Sequence, residues 1–453
     1  MSELPSGWTR CSVLDVLTKI KNGLALPQNK EGQGIPVTRI ETIASGKIDP
    51  SRIGFIDIDA ESEETHRIEY GDILFSHINS LAHIGKTAIY KGSPTVLFHG
   101  TNLLLLRSFP GVCDPRFIEY ALRTMRILGI FSLNAQNAVN QASINQKQLG
   151  AFEFRLAPTN EQKRIADKLD SLLARVDACR ERLDRVPGIL KRFRQAVLAA
   201  ATSGELTREW RETIGETNQW STVELESVAS DFSYGTAAKS LKAGKIPVLR
   251  MGNIQDGVLD WSDLVYTSND SEIRKYKLHS GDVLFNRTNS PELVGKTAVY
   301  HGERDAIYAG YLIRVRCGTR LLPDFLNYCL GSPAGRDYCW QVKSDGVSQS
   351  NINARKLAAF SFGLPTVPEQ VEIVRRVGSL FEIANLFERR HAEASQQIRR
   401  LTPSILAKAF RGELVPQDPN DEPASELLAR IRDRDSSVVS KKPARSKVND
   451  RQI

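Results

Sequence analysis

The chain has 453 residues, about three times the usual length of one domain, so two or more folded units are expected. Hydrophobic residues make up 41% and charged residues 25%, which excludes a largely disordered or collagen-like polymer. The net charge of +8 permits nucleic-acid binding without establishing it, because the excess is not concentrated in one domain. Residues 1–155 carry 16 Lys and Arg against 15 Asp and Glu, and residues 215–365 carry 17 against 16.

No apolar run approaches the roughly 18 residues a membrane helix needs. The start, Met1 to Trp8, has no charged segment followed by an apolar one, so a cytoplasmic protein is expected. Six scattered cysteines without a Cys-x-x-Cys pair make a zinc site unexpected. Cys179 and Cys329 lie among apolar residues and read as buried thiols in a reducing compartment.

In chain order, residues 1–157 form a mixed region. Short apolar runs such as Ile73-Leu74-Phe75 and Leu103-Leu104-Leu105-Leu106 sit between Gly, Pro, Asn and Asp, as strands do. A helical pattern at Phe117 to Leu122 is interspersed with them. Residues 158–207 then carry Ile165, Leu169, Leu172, Val176, Cys179, Leu183, Val186, Leu190, Phe193 and Val197 at alternating spacings of 4 and 3, the seam of a coiled coil. Residues 208–366 are a second mixed region. Residues 367–415 repeat the seam with Ile373, Val377, Leu380, Ala384, Phe387, His391, Ala394, Ile398, Leu401 and Ile405. Each helix is expected to span about 32 residues, roughly 48 Å, with Pro187 and Pro403 kinking or interrupting it. Helix-on-helix packing is favoured over each stripe packing on its own domain. A short helix over Ala424 to Arg434 and a disordered basic tail complete residues 416–453.

The halves are copies of one another. Gly71 to Tyr90 returns as Gly281 to Tyr300 with 11 of 20 positions identical, and Val139 to Gln162 returns as Val347 to Gln370 with 11 of 24. The Ile35-Pro36-Val37 strand returns as Ile246-Pro247-Val248. The expected fold is therefore α+β: two similar α+β domains separated by two long antiparallel coiled-coil helices, with pseudo-twofold internal symmetry.

Catalytic motifs are missing. Gly85-Lys86-Thr87 and Gly295-Lys296-Thr297 resemble the end of a phosphate loop, but Ser80 and Ser290 stand where that loop needs glycine. Glu161-x-Lys163 has nuclease spacing, yet its second copy reads Glu369-Gln370-Val371. A role for the glutamate at a helix N-terminus, favourable to the dipole, fits better. No dinucleotide loop, His-Glu-x-x-His or amino-methyltransferase tetrapeptide occurs. No catalytic or metal residues are assigned, and a duplicated chain of this kind reads as a binding device.

The duplicated polar residues suit double-stranded DNA. Arg reads guanine and Asn reads adenine in the major groove, whereas Lys suits phosphates. The candidates are Arg39, His77, Asn79, Ser80, Lys86, Gln141 and Asn145 in the first half. Arg250, Arg287, Thr288, Asn289, Ser290, Lys296, Gln349 and Asn353 match them in the second. Asn and Ser are also ordinary turn residues. Identity in both halves, as at Asn79/Asn289 and Asn145/Asn353, points to a shared fold requirement. His77 against Arg287 and Ile78 against Thr288 differ, which favours them as base readers. Two such readers on a rigid spacer would span about one turn of DNA, 34–36 Å.

The order domain, helix, domain, helix resembles the specificity subunit of type I restriction–modification enzymes. Glu161 to Asp170 and Leu190 to Leu198 resemble that family's central conserved region, and Ser404 to Leu414 its distal one, most closely in the enterobacterial K-type (type IA) subgroup. The likeness extends to about residue 415. It implies target-recognition domains at 1–157 and 208–366 that each read one half of a bipartite DNA target. It also implies two modification subunits docked on the conserved helices, methylating adenine with S-adenosylmethionine. Two restriction subunits using ATP and Mg2+ would join them, and the specificity chain itself would be non-catalytic. The second copy of the helix end departs from the first at Phe410-Arg411, where the first has Thr202-Ser203.

Overall fold

The computed structural model describes residues 4–58, 64–138, 141–216 and 219–439; the basic stretch at 441–451, expected to be disordered, lies outside them. The first half contains strands β1 (Leu17–Asn22), β2 (Ile73–Ser76), β3 (Thr87–Ile89) and β4 (Leu103–Ser108), then helices α1 (Pro115–Ile127) and α2 (Thr159–Thr202). The second contains β5 (Ala229–Tyr234), β6 (Asp282–Asn286), β7 (Thr297–Tyr300) and β8 (Leu312–Cys317), then α3 (Pro323–Gly331) and α4 (Val367–Ala409). Helix α5 (Ala424–Val439) follows. These elements divide into two compact units, Met1–Arg182 with Ala394–Ile453, and Leu183–Glu393.

Each unit is built on a four-stranded antiparallel sheet of the same topology. The orders are β1-β4-β2-β3 and β5-β8-β6-β7. Both sheets carry an irregularity at the start of the first strand, between Leu17 and Lys19 and between Ala229 and Asp231. The Leu103–Leu106 run is an inner strand covered on both faces. Leu104 and Leu106 enter the core beneath α1, while Leu103 and Leu105 enter a second core with Ile43 and Tyr90, as the two-residue period of a strand requires. Helix α1 begins where Asp114 accepts a hydrogen bond from the Arg116 amide at 2.8 Å, with Pro115 in the first turn.

The long helices exceed the expected 32 residues: α2 has 44 and α4 has 43, about 65 Å each at 1.5 Å per residue. Neither proline interrupts its helix. Pro187 has no N–H to offer the Leu183 carbonyl four residues earlier, and His391 Nε2 lies 3.0 Å from that oxygen and takes the vacant role.

In the first unit Ile165, Leu169 and Leu173 of α2 share one core with Leu406 and Ala409 of α4. In the second, Val197, Leu198 and Ala201 of α2 share a core with Ile373 and Val377 of α4. Each unit thus joins the beginning of one long helix to the end of the other, as an antiparallel pair does. The strict heptad seam is corrected in places. Ile165, Leu169, Val176, Leu190, Ile373 and Val377 are buried, but Leu172, Leu183, Leu380 and Ile398 are only half-buried, and Phe387 and Leu401 are exposed. Leu173 is buried beside half-buried Leu172. A straight helix drifts about 20° per heptad from a 3.5-residue repeat, and the ends of these helices also face the α+β cores. Cys179, expected to be buried, is exposed for the same reason.

Helix α5 runs beyond Arg434. It buries Ala424, Leu427, Leu428 and Ile431 in the first unit's main core, and the Ala424 amide donates to the Gly7 carbonyl at 2.8 Å.

Candidate nucleic-acid interface

Two duplicated side chains fasten each long helix to its α+β core. Gln370 Oε1 accepts from the Leu322 amide at 2.7 Å, and its Nε2 donates to the Arg320 and Pro365 carbonyls at 2.8 and 3.0 Å. Gln162 does the same with the Asp114 amide at 3.0 Å and the Ala157 carbonyl at 2.9 Å. Neither glutamine was singled out by sequence reasoning, although identity in both copies was the available signal. Glu161 and Glu369 lie in first helical turns, as expected. Glu369 additionally accepts from Trp220 Nε1 at 3.0 Å, from Thr207 Oγ1 at 2.7 Å and from Arg211. Burial pushes the Glu161 carboxyl up, and the facing Trp8 indole offsets this only in part.

The two Gly-Lys-Thr strings are turns of the scaffold. Gly85 and Gly295 have φ of +75° and +85°, and a Cβ there would come within 2.3 Å of Phe131 and 2.5 Å of Cys339, so only glycine fits. The threonines donate inward, Thr87 to Glu119 and Thr297 to Asn327, both at 2.7 Å. Lys86 Nζ donates to the Ala44 carbonyl at 2.8 Å, and Lys296 Nζ to Gln255 Oε1 at 2.9 Å. Burial is the main cause holding the Lys86 ammonium below its usual range.

Beside each main sheet, a small three-stranded sheet brings separate candidate clusters together. Ile78–Asn79 pairs with Gln141–Ser143, which pairs with Gln136–Ala138. Thr288–Asn289 pairs with Ser350–Asn351, which pairs with Ser344–Asp345. The Ile144 amide donates to the His77 carbonyl and the Ile352 amide to the Arg287 carbonyl, both at 2.9 Å. His77, Asn79, Ser80 and Gln141 therefore form one surface, and Arg287, Thr288, Asn289, Ser290 and Gln349 its counterpart. Burial lowers the His77 imidazole. The Arg287 guanidinium lies 4.6 Å over the Tyr234 ring, a position worth more when desolvated.

The shared asparagines have local duties. Asn145 and Asn353 cap short helices by accepting from the Gln148 amide at 2.8 Å and the Lys356 amide at 2.9 Å. Asn79 and Asn289 accept from the amides of Ser80 and Ser290, at 2.9 and 2.8 Å. Arg39 and Arg250 lie at the start of 3-10 turns and belong to neither small sheet; Arg39 faces Glu41 at 3.4 Å and Arg250 faces Asp263 at 3.1 Å. Among the described residues no group of three or more His, Cys, Asp or Glu is placed to hold a metal ion, and no helix is long and apolar enough to cross a membrane.

Residues 5–187 match the family model described as the type I restriction modification DNA specificity domain, and the chain belongs to the family of type I restriction–modification specificity subunits. Its task is DNA-sequence specificity rather than catalysis. It is similar to the EcoKI specificity subunit of Escherichia coli strain K12, 31% identical over 98% of this chain and 99% of that one. The StySPI specificity subunit of Salmonella potsdam is 32% identical with the same coverage, which places the chain in the K-type group. The HsdS subunit from Thermoanaerobacter tengcongensis shares the fold, with a TM-score of 0.58 at 19% identity over 91% of this chain and 99% of that one.

Proposed function

We propose that the chain reads a bipartite double-stranded DNA target in the cytoplasm, each α+β domain contacting one half-site through its small three-stranded sheet. The observation that carries this reading is the pair of matched sheets with unlike residues at equivalent places, His77 and Ile78 against Arg287 and Thr288. A shared scaffold with exchanged readers suits two different half-sites. Two modification subunits would dock on α2 and α4 and methylate adenine in the target, and two restriction subunits would complete the assembly. S-adenosylmethionine, ATP and Mg2+ would be held by those partners.

Methylome sequencing of cells with and without the gene tests the reading. A two-part adenine motif that vanishes with the gene supports it. Replacing residues 1–155 with the first domain of another family member should change one half of that motif. A change in both halves, or none, would refute the modular assignment.

A further inference from the structure

We propose that the hairpin joining Ser344–Asp345 to Ser350–Asn351 is a groove-reading element, and that Val347 at its tip packs against a thymine methyl in the second half-site. This rests on the DNA-reading function proposed above. Val347 is fully exposed, at 110% of the reference, whereas the next most exposed large hydrophobic among the described residues, Leu133, reaches 83%. A lone exposed valine is ordinary, but this one is displayed by a braced support. Lys343 Nζ donates to both Asp345 carboxylate oxygens at 2.6 Å, and the Ser350 hydroxyl donates to the same group. The Gly346 amide closes the turn on the Gln349 carbonyl at 2.8 Å. Lys356 Nζ ties the approach to the hairpin through the Val342 carbonyl and Ser344 Oγ, at 2.5 and 2.7 Å. A tip held in this way loses little freedom on binding.

The chemistry around the tip selects DNA over an apolar protein surface. A two-stranded ribbon fits the major groove, where the thymine methyl is the apolar group on offer. The hairpin pairs with the strand that directly follows Arg287 and is flanked by Lys356, with polar Ser348 and Gln349 beside the valine. Those cations suit a polyanion. The first half has Val139-Asn140-Gln141 at the matching place in the sequence, against Val347-Ser348-Gln349. The stems differ, Gln136-Asn137 against Ser344-Asp345. A valine common to two otherwise unlike sequences fits a base pair common to both half-sites, and adenine-methylated half-sites each contain an A·T pair.

The test uses the complex of this chain with its modification subunits and duplexes bearing the motif from the methylome, with uracil replacing each thymine of the second half-site in turn. One replacement should weaken wild-type binding about fourfold, the fold-change of one methyl at about 0.8 kcal/mol. Val347→Ala should bind the thymine and uracil versions equally, and both more weakly than wild type binds thymine. No uracil effect in the wild type, or its persistence in Val347→Ala, overturns the assignment. So does a Val347→Ala chain that loses modification subunits but reads thymine normally, which would give the tip to a protein surface. If the wild-type complex does not prefer its motif to a scrambled duplex, the DNA-reading function itself fails, a result separable from the others.

Discussion

Pro187 sits inside a continuous helix because His391 replaces the hydrogen bond that proline cannot make. A carbonyl oxygen can only accept, so His391 Nε2 must carry the proton. His391→Ala leaves the Leu183 carbonyl with neither a helix N–H nor the imidazole. A lost hydrogen bond together with an unpaired, partly buried acceptor costs about 1–2 kcal/mol. In a Pro187→Ala background the N–H of residue 187 returns to that carbonyl, and His391→Ala should then cost only a few tenths of a kcal/mol. The expected coupling between the two positions is therefore about 1 kcal/mol. Urea unfolding of the four variants, followed by far-ultraviolet circular dichroism, measures it. Hydrogen exchange over 183–195 should show lower protection in His391→Ala and recovery in the double variant. Additive effects within about 0.3 kcal/mol would refute the argument.

Gln370→Ala should destabilise the second unit by about 2–4 kcal/mol through one buried amide and two carbonyls left unpaired, and Gln162→Ala, with two such groups, should cost less; the reverse order in denaturant midpoints would contradict the fastening role. Glu119 is buried, and burial raises its carboxyl above the usual range. A carboxyl raised on folding favours the fold below its unfolded pKa, and that contribution is lost as pH rises through the folded value. Glu119→Gln keeps the acceptor for Thr87, so it should match wild type in acid and melt higher at neutral pH; equal melting at both would refute this. In the isolated native chain Cys179 should react first with a disulfide thiol reagent, because burial pushes Cys113 up to about 12 and Cys339 up to about 11. Cutting the chain after residue 421 removes Leu427, Leu428 and Ile431 from the first core and should lower the melting temperature of the first unit while sparing the second.

The α+β halves were legible because duplication makes a weak pattern count twice. Leu103 to Leu106 read as a strand and form one, since a run of four leucines between turn residues has few other uses. The long helices were legible from their heptads, but their lengths were not, because the signal comes from apolar spacing and the outer turns are spaced to fit the α+β cores. Cys179 and Phe387 occupy seam positions by sequence and face solvent in the structure; a period alone does not report drift. Helix continuity across Pro187 depends on His391, 204 positions later, a contact no local rule contains. For the candidate interface, comparison of the halves separated capping Asn145 and Asn353 from the variable His77 and Arg287. The joining of residues 77–80 to Gln141, and of 287–290 to Gln349, follows from strand pairings whose long-range register short polar segments do not announce.

The first unit takes its residues from both extremities of the chain, while the second is one uninterrupted stretch, Leu183–Glu393. A ribosome makes the residues before Leu183 ahead of the second unit, yet Leu406, Phe410 and Leu427, which complete the first unit's core, emerge only after it. The later-made domain can settle during synthesis, whereas the earlier one must wait with apolar surface uncovered. Birth order and folding order are thereby inverted, and a stalled or prematurely terminated translation product would be defective in the half it had already finished making.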